Sequence, residues 1–219
     1  MSADGGCAFR YRSGNCAWGY RPDRIAPDFS GLLPAGHPSV LDVGCGEGRN
    51  SVWLASKGAS VQAIDIDAEI LGRGDPRWRE AEGICWEGGD IRTIRLTPMS
   101  YDGVLACNVL QWLLDADDVA RVVSRLQSVT RPGGLNGIVV FNDRWPYPEA
   151  GASRPPVLLP HQWYLDRYEA WEVLRESDTD STHTHPGETA EHTHGITRLI
   201  LRRPIALASP PKPAAEARK

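Results

Sequence analysis

The stretch Val40-Leu41-Asp42-Val43-Gly44-Cys45-Gly46-Glu47-Gly48 constrains the fold more than any other part of the chain. A short apolar run that ends in glycines is the pattern of a strand buried on both faces, as in a parallel sheet. Three glycines at alternate positions let the backbone turn sharply and approach a ligand without Cβ collisions. Residues 50–56 then offer Val52, Trp53 and Leu54 as the apolar side of a helix, with Gly58 as its stop. Strand, glycine turn and helix in that order form the place where open α/β sheets bind ligands.

Further strands are expected at residues 60–64, closed by Asp65, at 84–87, at 101–107 and at 135–141. Residues 116–129 carry Val119, Val122, Val123, Leu126 and Val129 at helical spacing, and Arg131-Pro132-Gly133-Gly134 is expected to end that helix. Alternation of this kind predicts an α/β fold: a Rossmann-like open, mostly parallel sheet with helices on both faces. Segments 171–176 and 196–201 are expected to add a C-terminal antiparallel hairpin, preceded by a short helix at 162–168. Gly72, Gly74 and Pro76 predict that the helix after the second strand is short or irregular. Residues 1–37, with a helical turn expected at 24–33, form an arm or lid, and 38–203 form the domain. The proline-rich tail 204–219 is expected to be disordered, and 146–160 to be a proline-rich loop long enough to be functional or mobile.

Composition excludes several classes. The chain of 219 residues carries a formal charge of −4, which gives no general reason to expect nucleic acid or an anionic membrane as partner. No run approaches the ~20 apolar residues of a membrane span, and the N-terminus has no signal pattern, so the cytoplasm is the expected compartment. Five cysteines (Cys7, Cys16, Cys45, Cys85 and Cys107), three of them in expected core strands or turns, argue against a disulfide framework. The state expected is monomer or homodimer.

The acidic residues around the turn narrow the ligand. Dinucleotide sites use G-x-G-x-x-G and seat a pyrophosphate on the helix N-terminus. Here the spacing is G-x-G-x-G, preceded by Asp42, with Glu47 placed where it would repel a pyrophosphate. Two acids beside the turn suit a ligand bearing an ammonium group. Asp65, at the end of the second strand, has acceptor capacity for both hydroxyls of a ribose.

The run from Val40 to Asn50 resembles the first motif of class I S-adenosylmethionine-dependent methyltransferases. Its Gly48-Arg49-Asn50 ending, followed by Ser51-Val52-Trp53-Leu54-Ala55, is similar to the TehB-type tellurite-resistance subfamily. Ala63-Ile64-Asp65, Asp90-Ile91, Tyr101-Asp102-Gly103-Val104, Asn108-Val109-Leu110-Gln111-Trp112 and the segment from Tyr164 to Val173 extend the resemblance over roughly residues 15–203. It implies S-adenosyl-L-methionine as cofactor. Asp42, Gly44, Cys45, Gly46 and Asn50 would lie about its amino-acid part, Asp65 on the ribose, Asp90 on the adenine amino group, Ile66 and Ile91 on either side of the adenine, and Asn108 beside the methyl. Asp90 is open to a second reading as a turn former or cap, and Asn108 to a structural one. The expected reaction is methyl transfer to the O, N or S nucleophile of a small metabolite, with natural-product biosynthesis as a setting. The alternative acceptor is tellurite or selenite.

Two H-x-H pairs, His183-Thr184-His185 and His192-Thr193-His194, frame the turn Pro186-Gly187. On paired strands such residues share a face and offer four nitrogen ligands, so a non-catalytic metal- or cofactor-binding protein is the remaining alternative. No metal is assigned. In related enzymes this hairpin brings His and Arg near the acceptor, which makes His194, His185 and Arg198 the candidate catalytic residues. Trp18, Tyr20, Trp145, Tyr147 and Trp163 are either lid aromatics or core packing.

Overall fold

Residues 16, 19–144, 155–183 and 191–205 are described in the structure, a computed structural model. Their elements run α1 (Ile25–Leu32), β1 (Ser39–Val43), α2 (Arg49–Ser56), β2 (Ser60–Asp65), β3 (Ile84–Gly88), β4 (Tyr101–Cys107), a 3-10 turn at Leu110–Trp112, α3 (Ala116–Val129), β5 (Thr130–Asn142), α4 (His161–Arg167), β6 (Glu172–His183) and β7 (His192–Arg202). One seven-stranded sheet has the order β3-β2-β1-β4-β5-β7-β6. The strands from β1 to β5 pair in parallel, and β7 lies antiparallel between β5 and β6. This is the Rossmann-like architecture expected, with its C-terminal antiparallel hairpin.

The sheet is covered on both sides because its central strands are apolar on both faces. On one side Val119, Val122, Val123, Leu126 and Val129 of α3 pack with Leu41, Val104, Ile138 and Val140, and Tyr164 of α4 joins them. The first turn of α3 is capped by the Asp115 side chain, which accepts from Asp118 N at 2.8 Å; such a cap contributes ~1 kcal/mol. On the other side Phe29 of α1 and Leu54 of α2 pack with Val40, Leu105, Leu135 and Ile200. Phe29 reaches the sheet because β4 and β5 carry glycines beneath it: a Cβ at Gly103 would lie 2.7 Å from its ring, and one at Gly137 2.9 Å. Its complete burial is worth ~2–3 kcal/mol.

Three local expectations change. The Arg131-Pro132-Gly133-Gly134 stretch lies within β5, which begins directly after α3. Gly133 N donates to Arg203 O and Arg203 N to Gly134 O, so a neighbouring chain segment satisfies the backbone there. The hairpin is longer than 171–176 and 196–201 suggested. Polar residues of β6 and β7 stay in register as far as His183 opposite His192, and the Thr182 and Thr193 hydroxyls bond across the strands at 2.8 Å. Between β2 and β3 the chain makes turns and no helix. No described helix is long and apolar enough to cross a membrane.

Candidate functional site

The carboxyl ends of β1, β2 and β4 converge on the glycine turn. Gly44 (φ 66°), Gly46 (φ 57°) and Gly48 (φ 102°) all occupy the left-handed region. Close packing makes two of them irreplaceable: a Cβ on Gly44 would lie 2.5 Å from Val109 Cβ, and one on Gly48 2.3 Å from the Trp86 ring. Gly44 N and Cys45 N both donate to Ile64 O, which ties the turn to the end of β2. Asp65 closes the arrangement, with Oδ2 accepting from Gly46 N at 2.8 Å and Oδ1 from Asp67 N at 3.0 Å. Burial pushes its carboxyl above the ordinary value, while those two hydrogen bonds oppose the shift.

Asp42 lies beneath the turn with 1% of its surface exposed. Its Oδ2 accepts from Ser51 Oγ at 2.6 Å, while its Oδ1 is buried without a partner. Burial raises the carboxyl to about 6, the Ser51 bond works against this, and the charge of Asp65 adds to it. An ionised carboxylate with an unsatisfied oxygen in such a place calls for a donor, best a cationic one. Ile66, directly after Asp65, is 58% exposed, an apolar surface at the mouth of the site. Ile91 instead belongs to the core on the α3 side.

Asp90 is held by its neighbour. Arg92 donates from its backbone N (2.9 Å), Nε (2.9 Å) and Nη2 (2.5 Å), which keeps the Asp90 carboxyl below its usual range and fixes a turn there. Asn50 faces the arm: its Oδ1 accepts from Asp23 N at 2.8 Å, so α2 anchors the arm next to the glycine turn. Asn108 ends β4 with φ 56°, unusual for a side-chain-bearing residue, and its Oδ1 is buried without a partner. Cys45 is buried in the core of the α1–α2 side.

His194 and Arg198 lie on one face of β7, the face whose Ile196 and Ile200 join the core on the α1 side of the sheet. The His194 ring is 2% exposed, stacks on Phe141 at 4.1 Å with 1° between planes, and meets His192 edge-on at 4.7 Å. Arg198 Nη1 donates to Thr179 Oγ1 at 3.1 Å, and its Nε is buried without an acceptor. The register puts His183 opposite His192, so His183, His192 and His194 occupy positions on one face of the hairpin. His185 lies outside the described residues, as do Cys7, Trp18, Trp145 and Tyr147. Among the described residues no group of three or more His, Cys, Asp or Glu is arranged to hold a metal. Of the other aromatics, Trp163 packs into the core and against Arg167, while Tyr20 is exposed with its ring edge-on to Trp78.

Two features were not singled out from the sequence. Gln111, three residues past Asn108, is fully buried with both side-chain polar atoms unpartnered; polarity within an apolar 3-10 turn is the signal that marks it. At the end of β5, Asn142 donates to Asp178 (2.7 Å) and Thr197 (3.2 Å), Arg144 pairs with Asp178 and Asp180, and His161 bridges Thr197 and Glu176 at 3.0 Å each. These residues join through the fold and share no sequence motif.

The family model described as methyltransferase domain matches residues 40–134. An uncharacterized methyltransferase of Mycobacterium tuberculosis is 36% identical over 110 residues, half of this chain and 54% of that protein. The chain thus spans about half the length of the curated relatives it matches. TehB from Haemophilus influenzae superposes with a TM-score of 0.67 at 22% identity, covering 82% of this chain and 61% of that one. A protein whose structure is described as the conversion of a disulfide bond into a thioacetal group during echinomycin biosynthesis superposes at 0.69 with 18% identity, covering 93% and 92%. These likenesses add the fold to what the glycine turn and its acids already indicate. Residues 40–134 match the methyltransferase-domain family, and the fold of the chain resembles that of TehB.

Proposed function

We propose that this chain transfers the methyl group of S-adenosyl-L-methionine to an oxygen, nitrogen or sulfur nucleophile of a small metabolite, in the manner of tailoring steps on natural products. The observation that carries the reading is the pairing of two carboxylates with the glycine turn. Asp42 offers an unpartnered buried oxygen and Asp65 sits at the mouth on Gly46 N. A ligand with an ammonium, a ribose and a flat apolar base meets all of these groups, the base lying against Ile66.

The residues fit that cofactor, which supplies an electrophilic methyl carried on a sulfonium. Asp42 balances the ammonium, and Asp65 accepts from the ribose hydroxyls with the lone pairs its backbone donors leave over. Asp90 reaches the base only through an oxygen it shares with Arg92. Asn108 orients groups at the end of β4, where its strained backbone fixes the carboxamide. In-line displacement depends mainly on alignment and exclusion of water. The arm anchored by Asn50 to Asp23 supports the second requirement. His194, held by Phe141, is the group proposed to take the nucleophile's proton, with His185 as the other candidate.

Arg198 favours a second acceptor class. Its buried, unpartnered Nε would suit an oxyanion such as tellurite or selenite.

Calorimetry with S-adenosylhomocysteine tests the cofactor half. Asp65→Ala should weaken binding by about a hundredfold, since two hydrogen bonds to a charged acceptor are lost. Absence of binding to the unaltered chain would refute the proposal. Screening hydroxyl, amine and thiol acceptors beside tellurite, with S-adenosylhomocysteine formation as readout, decides between the acceptor classes.

A further inference from the structure

At the far end of β4 from Asn108 lies a cleft of about 370 Å³ between the 93–98 segment and the C-terminal half of α3. Met99 N donates to Ser128 O and Ser100 N to Val129 O, and these bonds join its two walls. Arg95, Arg125, Thr93 and Ser128 supply its polar lining and Ile94 and Leu96 part of its apolar wall, and no carboxylate lines it.

The charges around the cleft are unevenly matched. Arg92 takes Asp90 at 2.5 Å and Asp118 at 3.5 Å, and Arg121 also takes Asp118, at 3.0 Å. Arg125 is left with a long bond from Nη1 to Arg92 O, 3.4 Å, and its Nε is buried without an acceptor. Arg95 is exposed and, among the described residues, has no acidic partner. A guanidinium N–H taken out of water without an acceptor is unfavourable, and an oxyanion is the ligand that relieves it.

We propose that this cleft binds a small organic oxyanion, a phosphate monoester or carboxylate on an apolar body. The volume suits a ligand larger than a bare ion, and the apolar wall gives that body a surface. The carbonyl end of α3 disfavours an anion, so affinity must come from the two arginines and is expected on the order of 0.1–1 mM. The cleft lies at the amino end of β4, whereas the glycine turn and Asn108 follow the carboxyl ends of β1 and β4, so its ligand would be an effector rather than a methyl acceptor. None of this depends on which nucleophile the chain methylates.

Calorimetry of the full chain at 0.15 M salt, with phenyl phosphate, benzoate and phenol as probes, tests the site. Phenyl phosphate or benzoate should bind, whichever head group the cleft prefers, and phenol should not. Arg125→Gln and Arg95→Gln should each weaken the bound probe about tenfold without changing S-adenosylhomocysteine affinity. Arg95 is exposed, so Arg95→Gln keeps the test decisive should Arg125→Gln unfold. Binding by neither anion, equal binding of phenol, or affinities unchanged in the Arg95→Gln protein would overturn the proposal.

Discussion

Replacing Asp42 by asparagine separates what the site costs the fold from what it gives the ligand. In the ligand-free chain the Asp42 carboxyl is raised from 3.8 to about 6, chiefly by burial. A group whose folded value is raised contributes stability that is fully present below the unfolded value and is lost as pH rises through the folded one. The interval is about two pH units at ~1.4 kcal/mol each, so ionised Asp42 should cost ~3 kcal/mol above pH 7 that is absent near pH 4. Asparagine keeps an acceptor for Ser51 Oγ and has no charge to desolvate. The variant should therefore gain on the natural protein by ~3 kcal/mol between pH 4 and pH 7.5. Asp65 is present in both proteins, and its repulsion of Asp42 disappears only in the variant, which acts in the same direction. Urea unfolding at several pH values measures the difference directly. Saturating S-adenosylmethionine should shrink the natural protein's loss, because an ammonium beside Asp42 favours the ionised form. A stability difference constant across pH, or one that grows toward acid, would refute the reasoning.

Ile66→Glu should leave unfolding free energy within ~0.5 kcal/mol, since the side chain is 58% exposed, yet weaken S-adenosylhomocysteine binding several-fold by calorimetry. Gly48→Ala should cost roughly 2–4 kcal/mol in urea unfolding, because φ is 102° and the new Cβ meets the Trp86 ring at 2.3 Å. Asn136→Ala should cost ~2–3 kcal/mol and leave cofactor affinity unchanged: Asn136 donates to Tyr168 Oη at 2.8 Å and accepts from Thr130 Oγ1 at 2.6 Å, all within the core. Thermal scans with and without S-adenosylhomocysteine check the pair of effects.

The parallel half of the fold is legible in the sequence because each of its signals is local. An apolar run fixes β1, the glycines that follow it fix the turn, and the five apolar residues of α3 fix its covering face. Asp42 and Asp65 are legible for the same reason, each standing at a set place on its strand. The C-terminal half works through contacts between distant residues. Thr182 and Thr193 look like loop residues until the register pairs their hydroxyls, and Arg131-Pro132-Gly133-Gly134 looks like a stop until Arg203 supplies its missing bonds. Asn142, Asp178, Thr197 and His161 lie far apart in the chain and meet only at the end of β5.

That division follows the chemistry. As proposed, a cofactor with an ammonium, a ribose and a base would be bound largely by one strand–turn–helix unit and the ends of the next strands, so its requirements fall on closely spaced positions. The acceptor side, as proposed, draws on His194 and Arg198 of β7, whose contacts are with residues distant in the chain. His194 illustrates this: alone in the sequence it is half of an H-x-H pair, but the fold stacks it on Phe141, more than fifty positions earlier, and sets Arg198 four residues further along the same face. If His194 and Arg198 face the acceptor as proposed, substitutions at those two positions, more than at the glycine turn, should change which acceptors are used.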